Sequence, residues 1–270
     1  MLCFPNCKIN IGLYVTNRRA DGYHDLETVF YPLPLNDALE VVPAAETKLH
    51  LTGQAVAGNA ADNLVWKAYQ MLKAAFPDKV PAIDIYLHKT IPMGAGLGGG
   101  SADGAYMLRL LNDYCRLWLT TEQLVNFAAQ LGSDCAFFIH NRPQMAKGRG
   151  EIMSDMQVDL SKYSIQLICP HIHVATGEAF SMLTPGPASY DLYKLSELPV
   201  EQWRSHISND FEKPVFKEHP GLAAIKQQLY DGGAVYASMS GSGSAIYGIF
   251  VKNEKAAMKS AIPFSEHYLV

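Results

Sequence analysis

The sequence predicts an α+β fold in two domains. Strand-type alternation opens the chain, a glycine-rich loop later joins a strand pattern to a helix pattern, and the second half mixes helical periods with an antiparallel hairpin. At 270 residues there is enough chain for two domains, each with its own core.

In residues 7–15, Ile9, Ile11, Leu13 and Val15 share one face and Lys8, Asn10, Gly12 and Tyr14 the other, which predicts a strand with a polar face. After a turn-rich stretch at 17–22, strand-like runs at 28–33, 38–42 and 48–51 predict an antiparallel sheet. Asp62 or Asn63 can cap a helix whose apolar positions Leu64, Val65, Ala68, Leu72 and Ala75 follow the helical period. Ile83, Ile85 and Leu87 alternate with polar neighbours as a strand, and beyond the glycine loop Ala105, Leu108 and Leu111 mark a helix. Thr120 and Gln123 have capping-box spacing for a helix that stops at Gly132. Further on, the pattern predicts a strand at 165–169, helices at 177–183 and 221–230, a strand, glycine turn and strand across 235–251, and a last helix near 254–260. The polar stretch at 154–161 places the boundary so that 1–155 and 156–270 are the two domains.

Composition narrows the function. Hydrophobic residues at 49% and charged residues at 18% fit a folded, soluble chain with no membrane span. A net charge of -4 gives no general attraction for nucleic-acid phosphates, so any phosphate must be met by a local site. Five scattered cysteines without a Cys-x-x-Cys pair suggest reduced thiols and a cytoplasmic protein, neither a disulfide framework nor a zinc site.

That local site is the run Pro92, Met93, Gly94, Ala95, Gly96, Leu97, Gly98, Gly99, Gly100, Ser101. Glycines let backbone N–H groups approach an anion, and the following helix N-terminus adds partial positive charge. The dinucleotide fingerprint does not fit, because the loop begins five residues past the strand and Asp113 at the required distance lies in a helix. Nor does a Walker A loop, since Gly100 and not Lys precedes Ser101.

This loop resembles the phosphate loop of the GHMP kinases, named for galactokinase, homoserine, mevalonate and phosphomevalonate kinases. Lys8 to Leu13 resembles the family's first motif and Met239 to Ala245 its glycine-rich third motif, in the same order along the chain. Residues 19–28, from Arg19 through Tyr23 and His24 to Thr28, and the Leu131-Gly132-Ser133-Asp134 segment resemble the branch whose acceptor is a diphosphocytidyl sugar alcohol. The resemblance implies a ribosomal-protein S5 domain 2-like N-terminal domain, a ferredoxin-like C-terminal domain and a site in the cleft between them. It further implies ATP with Mg2+ as cofactor, small-molecule substrates, no nucleic-acid or membrane partner, and a monomer or weak homodimer. A kinase of the homoserine or mevalonate type is the alternative.

The roles implied by the resemblance are specific. Asp134 is the general base and Lys8 keeps it ionised and steadies the transferring phosphate; the plain structural alternatives are a helix cap and a solvated strand lysine. Asn63, Leu64 and Lys89 border adenine, and Pro92 through Ala102 wrap the ATP phosphates, with Ser101 also reaching the metal. Tyr23 and Phe180 sandwich cytosine, His24 reads its edge, and Asn10, Gly241 and Ser242 complete the acceptor site. Gly104 stands out inside its helix, where glycine costs about 1 kcal/mol against alanine.

Overall fold

Strand β2 (Asn6–Arg18) is buried on both faces through Tyr14, so its polar positions are not turned to water as simple alternation predicts. The computed structural model describes residues 1–55, 59–260 and 262–269. They divide into two interleaved units, one comprising Met1–Lys8, Pro34–Met93 and Gly98–Arg142 and the other Ile9–Leu33, Gly94–Leu97 and Pro143–Val270.

The first unit holds a sheet in the order β1-β4-β6-β5, formed by Leu2–Cys3 (β1), Ala38–Pro43 (β4), Lys48–Gly53 (β5) and Ile83–Lys89 (β6). β4 runs antiparallel to β6, but β5 runs parallel to it, correcting the all-antiparallel expectation for the opening quarter. The reason is helix α1 (Leu64–Ala75) between them: a strand, helix, strand crossover brings the second strand back in the same direction. Asn63 caps α1, its Oδ1 accepting the Val65 N–H at 2.9 Å. Helix α2 (Gly99–Tyr114) packs on α1 at Gly104, where an added Cβ would lie 2.9 Å from Leu64 Cβ. The glycine thus trades helix propensity for close helix approach. Helix α3 (Thr121–Leu131) begins with both hydrogen bonds of the predicted capping box. A short helix, α4 (Cys135–His140), follows; its residues through Ile139 are all buried.

In the second unit, β3 (His24–Asn36) lies between β2 and β7 (Gln144–Lys147), and β7 pairs antiparallel with β8 (Ile152–Asp155). A second sheet has the order β10-β11-β9-β12, antiparallel throughout, from Tyr163–Pro170 (β9), Tyr236–Met239 (β10), Ile246–Val251 (β11) and Phe264–Leu269 (β12). Helices Thr176–Ser181 (α5), Trp203–His206 (α6), Glu212–Glu218 (α7) and Pro220–Asp231 (α8) belong to the same unit, and its core joins Leu13, Phe211, Leu222, Ile225, Leu229, Ile246 and Phe250. The helix expected near 254–260 is not formed. Gln166 of β9 takes both the N–H and the carbonyl of Ala256, which diverts the backbone from helical bonding and leads it to β12 at the edge of β9.

Candidate functional site

Lys8 and Asp134 meet in the first unit. Lys8 comes from β2 with its side chain 5% exposed, and its Nζ lies 3.6 Å from Asp134 Oδ2, whose side chain is 28% exposed. Burial pulls the Lys8 ammonium below the ordinary lysine value, and the Asp134 carboxylate works against that shift. Asp134 sits at the N-cap of α4 yet makes no capping hydrogen bond. Its oxygens instead address Lys8 and, at 3.4 Å, the Ser133 hydroxyl. Neither plain alternative holds: the lysine is not solvated and the aspartate does not cap.

The exit of the glycine loop is built around the same pair. Gly98 is left-handed (φ +72) at the N-cap of α2, and a Cβ there would lie 3.0 Å from Phe138 Cζ and 3.2 Å from Lys8 Cε. Ser101, in the first turn of α2, bonds the buried Cys135 thiol, while burial pushes that thiol up to about 12.

In the second unit three distant segments converge. Ser240 Oγ accepts the Asn10 N–H at 3.2 Å and donates to the Gly96 carbonyl at 2.8 Å. Asn10 Nδ2 donates to Thr28 Oγ1 at 3.0 Å, and Tyr247 Oη donates to the Asn10 carbonyl at 2.8 Å. A Cβ on Gly96 (φ +78) would fall 2.0 Å from the Ser240 carbonyl oxygen, so only glycine permits this approach. A Cβ on Gly241 would lie 3.2 Å from Gly96 Cα, and Ser242 Oγ is 3.2 Å from Thr176 Oγ1. Ser240 and Thr28 lie within the two motif segments read from the sequence but carry no individual role there, and Tyr247 has no local signal in the chain. Asn209 donates to the carbonyls of Met239 and Gly241, and Asp210 accepts the Val15 N–H, so both are structural.

The turn carrying Tyr23 and His24 is held by Arg19, which reaches Asp21 at 3.1 Å and Asp25 at 3.2 Å. His24 stacks on Phe180 with ring centroids 4.9 Å apart and 16° between planes, and Phe211 meets Phe180 edge-on. Tyr23 is 57% exposed, with the Arg149 guanidinium 5.0 Å over its ring. His24, and not a Tyr23 sandwich, is therefore what faces Phe180 in this structure.

Lys89, expected to border adenine, has its ammonium turned into the protein. Its side chain is 1% exposed and its ammonium binds Asp37 and, at 2.6 Å, Asp103. Asn63, as the cap of α1, and Leu64 beside it remain half-buried near the start of that helix. Among the described residues no group of three or more His, Cys, Asp or Glu side chains is arranged to hold a metal, and no helix is long and apolar enough to cross a membrane.

The family model for the GHMP kinases N terminal domain matches residues 63–142, and that for GHMP kinases C terminal matches residues 195–265. The chain is 49% identical over 259 residues to a Bacteroides fragilis protein named 4-diphosphocytidyl-2-C-methyl-D-erythritol kinase, with 94% of each chain covered. To the Bacteroides thetaiotaomicron protein of that name it is 50% identical over 254 residues, 93% of this chain and 92% of the other. Among solved structures it resembles a crystal structure of 4-(cytidine 5'-diphospho)-2C-methyl-D-erythritol kinase, with a TM-score of 0.76 and 31% identity over 92% of this chain and 90% of that one. The Methanococcus jannaschii mevalonate kinase shares the fold, with a TM-score of 0.71 at 11% identity over 100% of this chain and 98% of that one.

Proposed function

The chain belongs to the GHMP kinase family, and from that premise we propose that it transfers the γ-phosphate of ATP to the 2-hydroxyl of 4-diphosphocytidyl-2-C-methyl-D-erythritol. The products are the 2-phosphate and ADP, a step of the non-mevalonate route to isoprenoid precursors, carried out in the cytoplasm. The five cysteines, all free thiols, suit a reducing compartment. A division at 155/156 falls between the two matched family segments, whereas the compact units change at Arg142/Pro143 and group residues 9–33 and 94–97 with the C-terminal half.

The observation that carries the reading is the buried Lys8 ammonium set 3.6 Å from the partly open Asp134 carboxylate, beside Gly98 at the head of α2. Phosphoryl transfer asks mostly for positioning and charge stabilisation. In this reading Asp134 accepts the proton of the acceptor hydroxyl as that oxygen bonds to the γ-phosphorus. The bond from the γ-phosphorus to the bridging oxygen breaks, and that oxygen leaves on ADP. Lys8, ion-paired with Asp134 at 3.6 Å, holds that carboxylate in place and offers positive charge to the equatorial phosphate oxygens. The loop from Pro92 to Ala102 supplies backbone N–H donors to the phosphates, and the α2 dipole adds to them.

A Mg2+ ion bound with ATP supplies charge neutralisation on the phosphates. The Ser101 hydroxyl is the oxygen donor this chain would offer it. Tyr23, His24 and Phe180 would receive the cytosine, the His24 ring yielding its place on Phe180 to the base. Asn10, Gly241 and Ser242 complete the acceptor side.

A coupled ADP-release assay with the cytidyl acceptor, mevalonate and homoserine tests the assignment. ADP release with the cytidyl acceptor alone is expected. Faster release with either smaller alcohol would put the chain in a different branch of the family.

A further inference from the structure

Lys89, Asp37 and Asp103 are buried, mutually bonded and unused by the chemistry above. They come from three places: the end of β6, the turn between β3 and β4, and the second turn of α2. Asp37 Oδ1 accepts the backbone N–H groups of Thr90 at 2.5 Å and Ile91 at 2.8 Å, the two residues that lead into Pro92. Lys89 Nζ runs beneath Gly99, 3.4 Å from where a Cβ would stand, and bonds Asp103 at 2.6 Å. One ion cluster therefore grips the glycine loop where it begins and where it ends.

We propose that Asp37, Lys89 and Asp103 form a buried positioning clamp that holds both ends of the glycine loop in register for nucleotide phosphates, with Asp103 as its adjustable member. The proposal rests on the kinase reading only in taking the loop's ligand to be ATP.

Two carboxylates share one ammonium out of water, so one negative charge would go unbalanced if both were ionised. Asp103 is the member that gives way. Its Oδ1 has no hydrogen-bond partner, a heavy cost for a buried carboxylate and a lighter one for the carbonyl of a neutral acid. Burial pushes Asp103 up to about 8, Asp37 adding to the rise and Lys89 opposing it. The groups facing it are Lys89 on β6, Asp37 ahead of β4 and the Cys3 thiol of β1, with Arg109 of its own helix beyond Cys3. On the other sides of α2, α1 presents Leu64 at Gly104 and α4 presents the Cys135 thiol at Ser101. Ionising Asp103 therefore places uncompensated negative charge beneath a loop that must bind a polyanion. ATP should favour the protonated form, and by reciprocity protonation should favour ATP.

The test measures ATP affinity of the full chain by calorimetry, without acceptor, from pH 6.5 to 9.5, with thermal unfolding followed at each pH. Wild-type affinity is expected to weaken by roughly 5-fold or more as pH passes about 8, the lower end of ordinary coupling between sites. Asp103→Ala should bind ATP weakly throughout. Asp103→Asn, which keeps the shape and the hydrogen-bonding hydrogen of the neutral acid, should rescue binding and remove the alkaline decline. Carboxyl-carbon NMR of wild-type protein supplies a check that needs no variant: one buried aspartate should titrate near 8 and move higher when a non-hydrolysable ATP analogue binds. An alkaline decline that survives in Asp103→Asn, or a titration indifferent to the analogue, would overturn the clamp and leave the kinase assignment standing. Failure of the wild-type protein to bind ATP at any pH would overturn both.

Discussion

Replacing Asp134 with Asn keeps the shape of the side chain and removes the charge 3.6 Å from the buried Lys8 ammonium. At that distance, 332/(20 × 3.6) gives an attraction of about 5 kcal/mol for an effective dielectric of about 20. The net cost is smaller, because Asp134 is 28% exposed and Lys8 can shed its proton. Breaking a buried pair typically costs 3–5 kcal/mol, and partial exposure reduces this to roughly 1–3 kcal/mol here. The sign with pH is fixed by Lys8, whose folded-state value lies below the unfolded one. The unfolded chain then binds more protons in the window between the two, so stability rises with pH across it. Losing Asp134, which raises Lys8, extends that window toward lower pH. Over the pH range in which an aspartate is ionised, the deficit of Asp134→Asn should therefore be largest on the acid side and shrink as pH rises. Kinetically, kcat should fall by about 10²-fold or more with ATP affinity little changed, the scale for loss of a general base. Denaturant unfolding across pH and steady-state kinetics check both halves. A variant with near-normal kcat, or with a stability deficit that ignores pH, would refute the reasoning.

Further outcomes follow from the loop and the acceptor side. Gly96→Ala should abolish measurable ATP binding by calorimetry, since its Cβ would lie 2.0 Å from a backbone oxygen that cannot swing aside; retained affinity would contradict the convergence of the motifs on Ser240. Gly98→Val should block ATP as well, pressing on Phe138 and Lys8 at a left-handed position, and unaltered ATP affinity in a folded variant would speak against it. Tyr23→Ala and Phe180→Ala should each weaken the cytidyl acceptor by roughly 5- to 150-fold in KM, the range for one stacked base, while KM for ATP hardly moves. His24→Ala should narrow the preference for cytidyl over uridyl acceptors; an unchanged ratio of kcat/KM would remove His24 as a reader of the base.

Much of this was legible along the chain, and the gaps have physical causes. The capping box at Thr120 and Gln123 is a local device, so local reading finds it, and it forms as expected. The glycine loop is likewise read from spacing alone. Helix α4 was missed because Cys135–His140 is short and buried almost throughout, which erases the polar side on which helical periodicity depends. β7 and β8 are four residues each, too short for alternation to stand out from a polar linker. The final helix failed because Gln166, 90 residues away, captures the Ala256 backbone. Lys8 was visible as a polar-face residue, but its burial was not, since strand alternation cannot distinguish water from a buried ion pair. The Lys89 cluster was out of reach for the same reason: its partners lie 52 and 14 residues away in sequence.

The central claim is that a particular hydroxyl of a cytidyl acceptor receives the γ-phosphate, and NMR of the product tests it most directly. The 2-carbon of the proposed acceptor carries a methyl group and no hydrogen. A new phosphate monoester there should split the signals of that quaternary carbon and its methyl carbon through phosphorus, with no three-bond coupling from the phosphorus to a proton on the esterified carbon. Coupling to a carbinol proton, or no phosphorylated product from the cytidyl acceptor in the presence of ATP, would contradict the account.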